Sequence, residues 1–171
     1  MKFNGIDIEK IKRSNVLNYL NTTPTENTAT YNLIGCGITE QAIDYSADKE
    51  SEQWITEDVK RNNINGYEIS SGVSQTCYKG DPVFEYINKI RRDEDVDKLC
   101  YSDIIEVEKL YSTGEGASIK YQATKHDVII EITKWLGDKT VMEYTINFNG
   151  TGTKGYVTFT DNKPVFTASA D

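Results

Sequence analysis

The sequence predicts a mainly β protein, a β-sandwich or barrel-like fold with one α-helix on its flank. Apolar and polar residues alternate in several segments, most cleanly over 141–148, where Met142, Tyr144 and Ile146 share one face of a strand. The segment of about 81–93 has apolar residues at clear helical spacing. With 37% hydrophobic residues and three prolines, the chain can build a packed core. We therefore predict a single domain over residues 1–171.

The helix has start and stop signals of its own. Asp81 can cap it by accepting from a free backbone N–H, and Pro82 suits the first helical position, which needs no donor. Arg91 and Arg92 lie near its end, where positive charge complements the helix dipole. The apolar residues on one face, expected to pack against a sheet, are Val83, Tyr86, Ile87 and Ile90.

About eight to ten strands are predicted around this helix. The segments typical of strands are 30–38, 54–60, 65–77, 104–111, 117–123, 128–136, 141–148, 156–160 and 165–168. Residues 149–155 are predicted to form a turn, and residues 39–53 have no period and are predicted to form a long loop. Residues 8–20 fit either a weak helical stripe or a short strand after a flexible N-terminal arm, residues 1–13.

The charge of the chain argues against nucleic-acid binding. Its net charge is −8, which repels phosphate backbones. Two segments, 40–58 and 93–108, each carry seven acidic residues and one Lys. The three cysteines form no C-x-x-C pair, which favours free thiols. No apolar run resembles a signal peptide or a membrane span, so we expect neither secretion nor membrane insertion.

No segment carries a recognisable catalytic motif. Gly150, Gly152 and Gly155 match G-x-G-x-x-G, but a dinucleotide site needs a helix after this motif, and here strands are predicted on both sides. His126 is the only histidine, and no nucleophile elbow accompanies it. One histidine without clustered cysteines also disfavours zinc. We therefore expect no enzyme activity, no cofactor and no metal, and favour an assembly or binding protein.

The segment QTCYKGDPVFEYINKIRR, residues 75–92, resembles the tail tube proteins (major tail proteins) of tailed bacteriophages. In that family a strand, a turn of this composition and a single helix follow in the same order. Residues 15–40 resemble the family's N-terminal strand pair, 65–74 the strand before the helix, and 149–169 the closing hairpin with the C-terminal strand. The resemblance covers most of the chain from about residue 14.

The resemblance implies a structural protein whose hexameric rings stack into the hollow tail tube through which phage DNA enters the host. The implied partners are other copies of the chain, the tape measure, the tail terminator and the baseplate or distal tail proteins. DNA would be a passenger that does not stick, and no membrane is involved. The implied location is the virion tail, and the host cytoplasm during assembly. The alternatives are the inner tube of a contractile apparatus, as in R-type bacteriocins and type VI systems, and a monomeric β-sandwich binding module.

Two groups of residues follow as interface candidates in such a tube. The candidates for reaching a neighbouring subunit from the predicted 39–53 loop and just after it are Ile43, Tyr45, Asp48, Glu50 and Trp54. The candidates for an acidic lumen that repels DNA are Glu106, Glu108 and Glu131. Because side chains alternate along a strand, Glu106 and Glu108 are expected to share one face. The helix is expected to cover the outside of a sheet.

Overall fold

The structure, a computed structural model, describes residues 1–136 and 140–169 and confirms a mainly β fold with one helix. The strands are β1 (Lys2–Phe3), β2 (Ile6–Asp7), β3 (Val16–Asn21), β4 (Tyr31–Leu33), β5 (Asp44–Glu52), β6 (Arg61–Thr76), β7 (Tyr101–Thr113), β8 (Lys120–Trp135), β9 (Val141–Thr160) and β10 (Lys163–Ala168). The helix α1 spans Pro82–Asp93. No helix in the described residues is long and apolar enough to cross a membrane.

One antiparallel sheet contains all strands except β1 and β2. Its order is β4-β3-β7-β8-β9-β6-β5, and β10 pairs with the C-terminal part of β9. The 20-residue strand β9 therefore has two different neighbours on one side, β6 along 141–148 and β10 along 155–160. The sheet curls because these two parts face different partners, which gives it a barrel-like form.

Two apolar cores lie on opposite faces of this sheet. Alternation along β7 shows the division, because Ile104 packs in the core under α1, whereas Ile105 and Val107 pack in the other core. The main residues of the core under α1 are Leu20, Val73, Ile87, Ile104, Val128, Ile130, Met142, Tyr144 and Ile146. The second core, formed where β10 curls towards β4, contains Tyr19, Ile105, Val107, Ala123 and Val157, with Phe159 and Phe166 at its margin.

The helix begins and ends as its sequence signals indicate. Asp81 Oδ2 accepts from the Phe84 backbone N–H at 3.0 Å, and Pro82 is the first helical residue. The helix ends where Glu94 adopts a left-handed conformation with φ 47°. All four residues of the predicted packing face, Val83, Tyr86, Ile87 and Ile90, are buried in the main core.

The prediction of a long loop over 39–53 is wrong, because Asp44–Glu52 forms strand β5. This strand pairs with β6 from Asp44 opposite Ser70 to Glu52 opposite Arg61. Of its residues, all but Ala47 are exposed. A strand that buries neither face shows no apolar alternation, so its backbone pairing leaves no trace in the sequence pattern.

The strand predicted over 54–60 is also wrong. These residues connect β5 to β6, and the Glu57 N–H donates to the Trp54 carbonyl at 2.9 Å in a turn. Strand β6 instead begins at Arg61. The apolar residues of 54–60 resemble a buried strand in composition, but no strand of the described chain lies beside them.

Residues 149–155, predicted as a turn, lie inside β9. Two of their glycines make room for neighbouring strands rather than for a change of direction. A Cβ on Gly155 would lie 2.3 Å from the Thr167 carbonyl oxygen, and one on Gly152 would lie 2.3 Å from the His126 ring. The glycine-rich composition therefore reflects close packing within a continuous strand.

For residues 8–20, which fit either a helix or a strand, the structure shows a strand. Residues 16–21 form β3, which pairs with β7 and β4. Residues 1–14 are all exposed, and they include the small hairpin of β1 and β2, in which Phe3 lies opposite Ile6.

Candidate functional site

Half of the sheet is a four-stranded unit with two open edges. Its strands are β8 along 131–135, β9, β6 and β5. Strand β7 begins at Tyr101, opposite Ile129, so no described strand lies beside β8 beyond Ile130. At the other edge, β5 pairs only with β6. Neither edge is paired with a further strand of the described residues, and a strand edge of this kind is a template for pairing with another chain.

The face of this unit opposite α1 is polar. In β6 and β9, residues that alternate with the buried Val73, Tyr144 and Ile146 point to this face. Register places Gly72, Thr145 and Glu131 side by side across three strands. The residues of this polar face are Ser70, Gly72, Ser74, Glu131, Lys134, Glu143, Thr145 and Asn147, and Lys134 Nζ lies 3.3 Å from Glu143 Oε1. All are small or hydrophilic, and none belongs to either core.

The three lumen candidates do not lie on one surface. Glu131 is exposed on the polar face. Glu106 and Glu108 lie on the opposite side of the sheet, because they alternate with Val107 of the second core and pair opposite Asn18 and Val16 of β3. The structure thus brings Glu106 and Glu108 together, as the strand period predicts, and separates them from Glu131.

The environment of Glu106 is half-buried and acidic. Burial raises the pKa of its carboxyl, the neighbouring Glu108 charge raises it further, and Arg13 partly opposes the shift. Burial raises the pKa of the Tyr45 phenol, and the charges of Glu106 and Glu108 raise it further.

The inter-subunit candidates lie along β5 and its connection to β6. Tyr45, Asp48 and Glu50 are exposed on β5, Ile43 is half-buried just before it, and Trp54 is exposed beyond it. The Arg61 guanidinium stacks over the Trp54 ring at 4.5 Å. Around Trp54 lie further exposed apolar side chains, and we call this set the apolar tip: Trp54, Ile55, Val59 and Ile64.

The sequence pattern does not indicate the open edge of β8 or most of the apolar tip. The edge depends on where β7 begins relative to β8, which is a matter of long-range register. Composition predicts a strand that contains Ile55 and Val59, yet Ile55 is fully exposed at 104% of its reference area. A run of apolar residues next to a strongly acidic segment is the only signal that could have indicated an exposed hairpin end.

A polar cluster joins four strands at the margin of the second core. Asp103 accepts from Asn21 Nδ2 at 2.9 Å and from the Tyr31 hydroxyl, and it lies 3.2 Å from Lys125 Nζ. Burial, followed by the hydrogen bond to Asp103, raises the pKa of Tyr31 to about 12. These contacts connect β3, β4, β7 and β8, and the polar groups involved satisfy one another's hydrogen bonds and charges.

The described residues contain no cluster of metal-ligating side chains. No group of three His, Cys, Asp or Glu side chains in residues 1–136 and 140–169 could hold a metal ion. His126 is half-buried with its ring 5.2 Å from that of Phe148, and burial lowers its pKa. Packing against Phe148 and Gly152 is therefore the role that its contacts support.

No protein-family model matches the chain, and no curated protein sequence matches it. Among solved structures, a chain in the cryo-EM structure of the anti-feeding prophage baseplate, 6-fold symmetrised, superposes with a TM-score of 0.44. It is 8% identical, and the alignment covers 87% of this chain and 97% of that chain. These values are too low to assign a shared fold or a shared function.

Proposed function

We propose that this chain is a structural subunit that assembles with copies of itself into hexameric rings, stacked as the hollow tail tube of a phage or phage-like particle. The sequence of residues 75–92 and the order of elements around α1 resemble that family. The observation that carries the proposal is the four-stranded unit with an open edge on each side. Pairing the β8 edge of one copy with the β5 edge of the next would make a continuous barrel without free edges.

The two faces of the unit suit the inside and the outside of such a barrel. The polar face has small, uncharged or acidic side chains and one basic side chain, Lys134, whose charge is paired with Glu143 at 3.3 Å. Negative and neutral groups would let DNA slide without binding, so this face is the proposed lumen wall, with Glu131 on it. Helix α1 covers the other face and would lie on the outside.

The apolar tip is the proposed contact between stacked rings. Its four residues lie at the end of the hairpin that β5 forms with β6, which we call the two-stranded extension. Such a hairpin rarely exposes large apolar residues without a partner. Tyr45, Asp48 and Glu50 on the same extension would pair across subunits within or between rings. This assignment gives β5 the inter-subunit role that the sequence predicts for residues 39–53.

The test is negative-stain electron microscopy of the concentrated protein across a salt series. We expect rings or tubes, favoured by salt because screening over roughly 10 Å at 0.1 M weakens repulsion between acidic lumen residues. Protein that stays monomeric at every concentration and salt would overturn the proposal and favour a β-sandwich binding module.

Proline variants on β5 test the edge pairing. Neighbouring residues of an edge strand point their N–H groups alternately inwards and outwards, so Ser46→Pro and Ala47→Pro should differ. We expect both variants to abolish assembly. Only the variant whose lost N–H was bonded to β6 should also lower the stability of the subunit. Lys60→Pro, in the connection between β5 and β6, is the control. Normal tubes from both β5 variants would contradict the pairing.

The alternative within the same class is the inner tube of a contractile apparatus. The family resemblance applies equally to this inner tube, which differs from the tail tube proposed above in being surrounded by a sheath. Tail particles isolated by affinity capture of the tagged chain would distinguish the two, because a sheath protein in stoichiometric amount is expected only for the contractile form.

A further inference from the structure

The chain contains three Asn–Gly pairs, Asn4–Gly5, Asn65–Gly66 and Asn149–Gly150. In such a pair the backbone nitrogen of glycine can attack the side-chain amide carbon of asparagine, because glycine has no Cβ to hinder the approach. The attack closes a cyclic imide and releases ammonia, and water then opens the ring to leave aspartate or isoaspartate. Asn4–Gly5 forms the tight turn of the exposed N-terminal hairpin, so the large sheet contains the other two pairs.

The Asn149–Gly150 pair lies where β9 leaves the strand register. Strand β8 pairs with Asn149 and then only from Thr153 onwards. On the other side of β9, β6 pairs along 141–148 and β10 along 155–160. Gly150 therefore has no register partner on either side among the described residues, and its φ of 63° is in the left-handed region that glycine adopts without strain. Asn149 and Gly150 are both exposed.

The Asn65–Gly66 pair is held more firmly by its neighbours. Gly66 lies in register opposite Asp48 of β5, and Asn65 Nδ2 donates to Glu50 Oε2 at 3.4 Å. A glycine that is fixed in a paired strand reaches the amide carbon only after the strand opens locally. The structure therefore favours reaction at Asn149 over reaction at Asn65, although the two dipeptides are identical.

Asn149 lies at the end of a row that already contains two acidic side chains. Register places Asp103, Asp127 and Asn149 side by side on β7, β8 and β9, and all three line a pocket of about 410 Å³. Lys125 Nζ balances the charge of Asp103 at 3.2 Å. In the part of the chain that the structure describes, Asp127 forms no salt bridge. A carboxylate at position 149 would face the charge of Asp127 directly, and like charges opposite each other destabilise a sheet.

We propose that Asn149–Gly150 is a site of spontaneous deamidation in the folded chain, and that the carboxylate formed there weakens the sheet beside Asp127. Gly150 N forms a bond to Asn149 Cγ as the bond from Cγ to the amide nitrogen breaks, and ammonia leaves with the Gly150 amide proton. One water molecule opens the imide, so the net change is an amide exchanged for a carboxylate with release of ammonium. The inference concerns the single chain and is independent of the proposed assembly.

Peptide mapping by mass spectrometry, during incubation at mildly alkaline pH, tests the site. The folded chain is compared with the chain unfolded in urea, in which each pair reacts at its intrinsic rate. We expect Asn149 to convert in the folded chain at close to its unfolded rate. Asn65 should convert about fivefold more slowly than when unfolded, the effect of one backbone hydrogen bond that must open first. Protection of Asn149 equal to or greater than that of Asn65 would overturn the site.

Melting temperatures test the effect of the new charge. Asn149→Asp carries the product side chain from the start, and Asn149→Gln is the matched control that keeps a neutral amide. We expect Asn149→Asp to melt up to about 4 °C below Asn149→Gln at neutral pH and low salt. The difference should shrink at high salt, which screens the repulsion, and at acidic pH, where the carboxyls bind protons. Equal melting temperatures, or a difference that neither salt nor pH changes, would overturn the repulsion.

Two further comparisons assign the effect to its partner and to its site. Adding Asp127→Asn to both variants should remove the difference between Asn149→Asp and Asn149→Gln, and an unchanged difference would overturn the role of Asp127. Prolonged incubation should lower the melting temperature of the unsubstituted chain, whereas Asn149→Gln should keep its value. An equal loss in both proteins would show that conversion elsewhere causes it and would overturn Asn149 as the position that matters.

Discussion

The hydroxyl of Tyr144 donates to Gln75 Oε1 at 3.2 Å in the centre of the main core, where both side chains are almost fully buried. The other end of Gln75 donates to Asp81 Oδ2 at 2.8 Å and to the Cys36 carbonyl at 3.0 Å. Asp81 is the residue that caps α1. One glutamine therefore connects β9, the helix cap and the segment after β4.

Gln75→Leu should destabilise the subunit strongly. The change leaves the Tyr144 hydroxyl without a partner in the core, where an unsatisfied group costs about 1–3 kcal/mol, and it removes the donor to Asp81 and to the Cys36 carbonyl. We expect a lower urea midpoint in equilibrium unfolding followed by circular dichroism. Gln122→Leu, at an exposed position of β8, is the matched control and should change the midpoint little. Equal midpoints for the two variants would show that the buried hydrogen bonds contribute nothing.

Ile87→Ala should show how much the packing of α1 in the main core contributes to the stability of the subunit. Ile87 is fully buried, and truncation of a buried isoleucine typically costs about 2–5 kcal/mol. Lys89→Ala on the exposed side of α1 should be close to neutral. Glu85 is less suitable as a control because its carboxylate accepts from the Gly80 N–H at 3.0 Å. The measurement is again the denaturant midpoint, and a neutral Ile87→Ala would contradict the packing of α1.

Glu106→Gln should stabilise the subunit at neutral pH and not at acidic pH. Burial and Glu108 raise the folded-state pKa of Glu106, so the folded state holds its proton more tightly than the unfolded state does. The resulting cost is present at pH above the folded-state pKa and disappears below the ordinary value near 4.5. Thermal unfolding at both pH values measures this difference.

The exposed Glu131→Gln provides the comparison for Glu106→Gln. Its effect on the melting temperature should be small at either pH, because it has no burial to lose. If Glu106→Gln also left the melting temperature unchanged at neutral pH, its carboxylate would be as well solvated as that of Glu131. That result would contradict the half-buried environment of Glu106 beside Tyr45 and Arg13.

Tyr31→Phe should lower the stability of the subunit at neutral pH. The variant should then lose less stability than the unsubstituted protein as the pH becomes alkaline. The missing hydroxyl deprives Asp103 of a donor, at a cost of about 1–3 kcal/mol. The pKa of Tyr31 is raised to about 12 from an ordinary 10.0, so the folded state keeps a proton that the unfolded state loses. Stability is therefore lost as pH rises from 10.0 towards about 12. Denaturant midpoints across this pH range, falling equally in both proteins, would contradict the assignment.

Tyr111→Phe controls for the removal of a tyrosine hydroxyl as such. Tyr111 is 58% exposed on β7, outside the polar cluster around Asp103. Its replacement should leave the midpoint at neutral pH unchanged. A loss similar to that of Tyr31→Phe would indicate that the effect does not come from the hydrogen bond to Asp103.

The local features of the chain could be predicted from the sequence because they depend on near neighbours. Asp81, Pro82 and the spacing of Val83, Ile87 and Ile90 determine α1 within a few residues. The alternation of Met142, Tyr144 and Ile146 determines a strand and its buried face for the same reason. The mainly β class follows from repeating such segments along the chain.

The tertiary structure alone decided which strands are neighbours and which faces are open. Strand β5 has no apolar alternation and exists through its pairing with β6, and the β8 edge is open only because β7 begins opposite Ile129. Glu106 and Glu131 have the same side chain but lie on opposite faces of the sheet, one half-buried and one exposed. Asn18 and Gln41, distant in sequence, are joined by a side-chain hydrogen bond of 3.3 Å. Register and curvature arise from contacts across the whole chain, and a short window of sequence does not contain them.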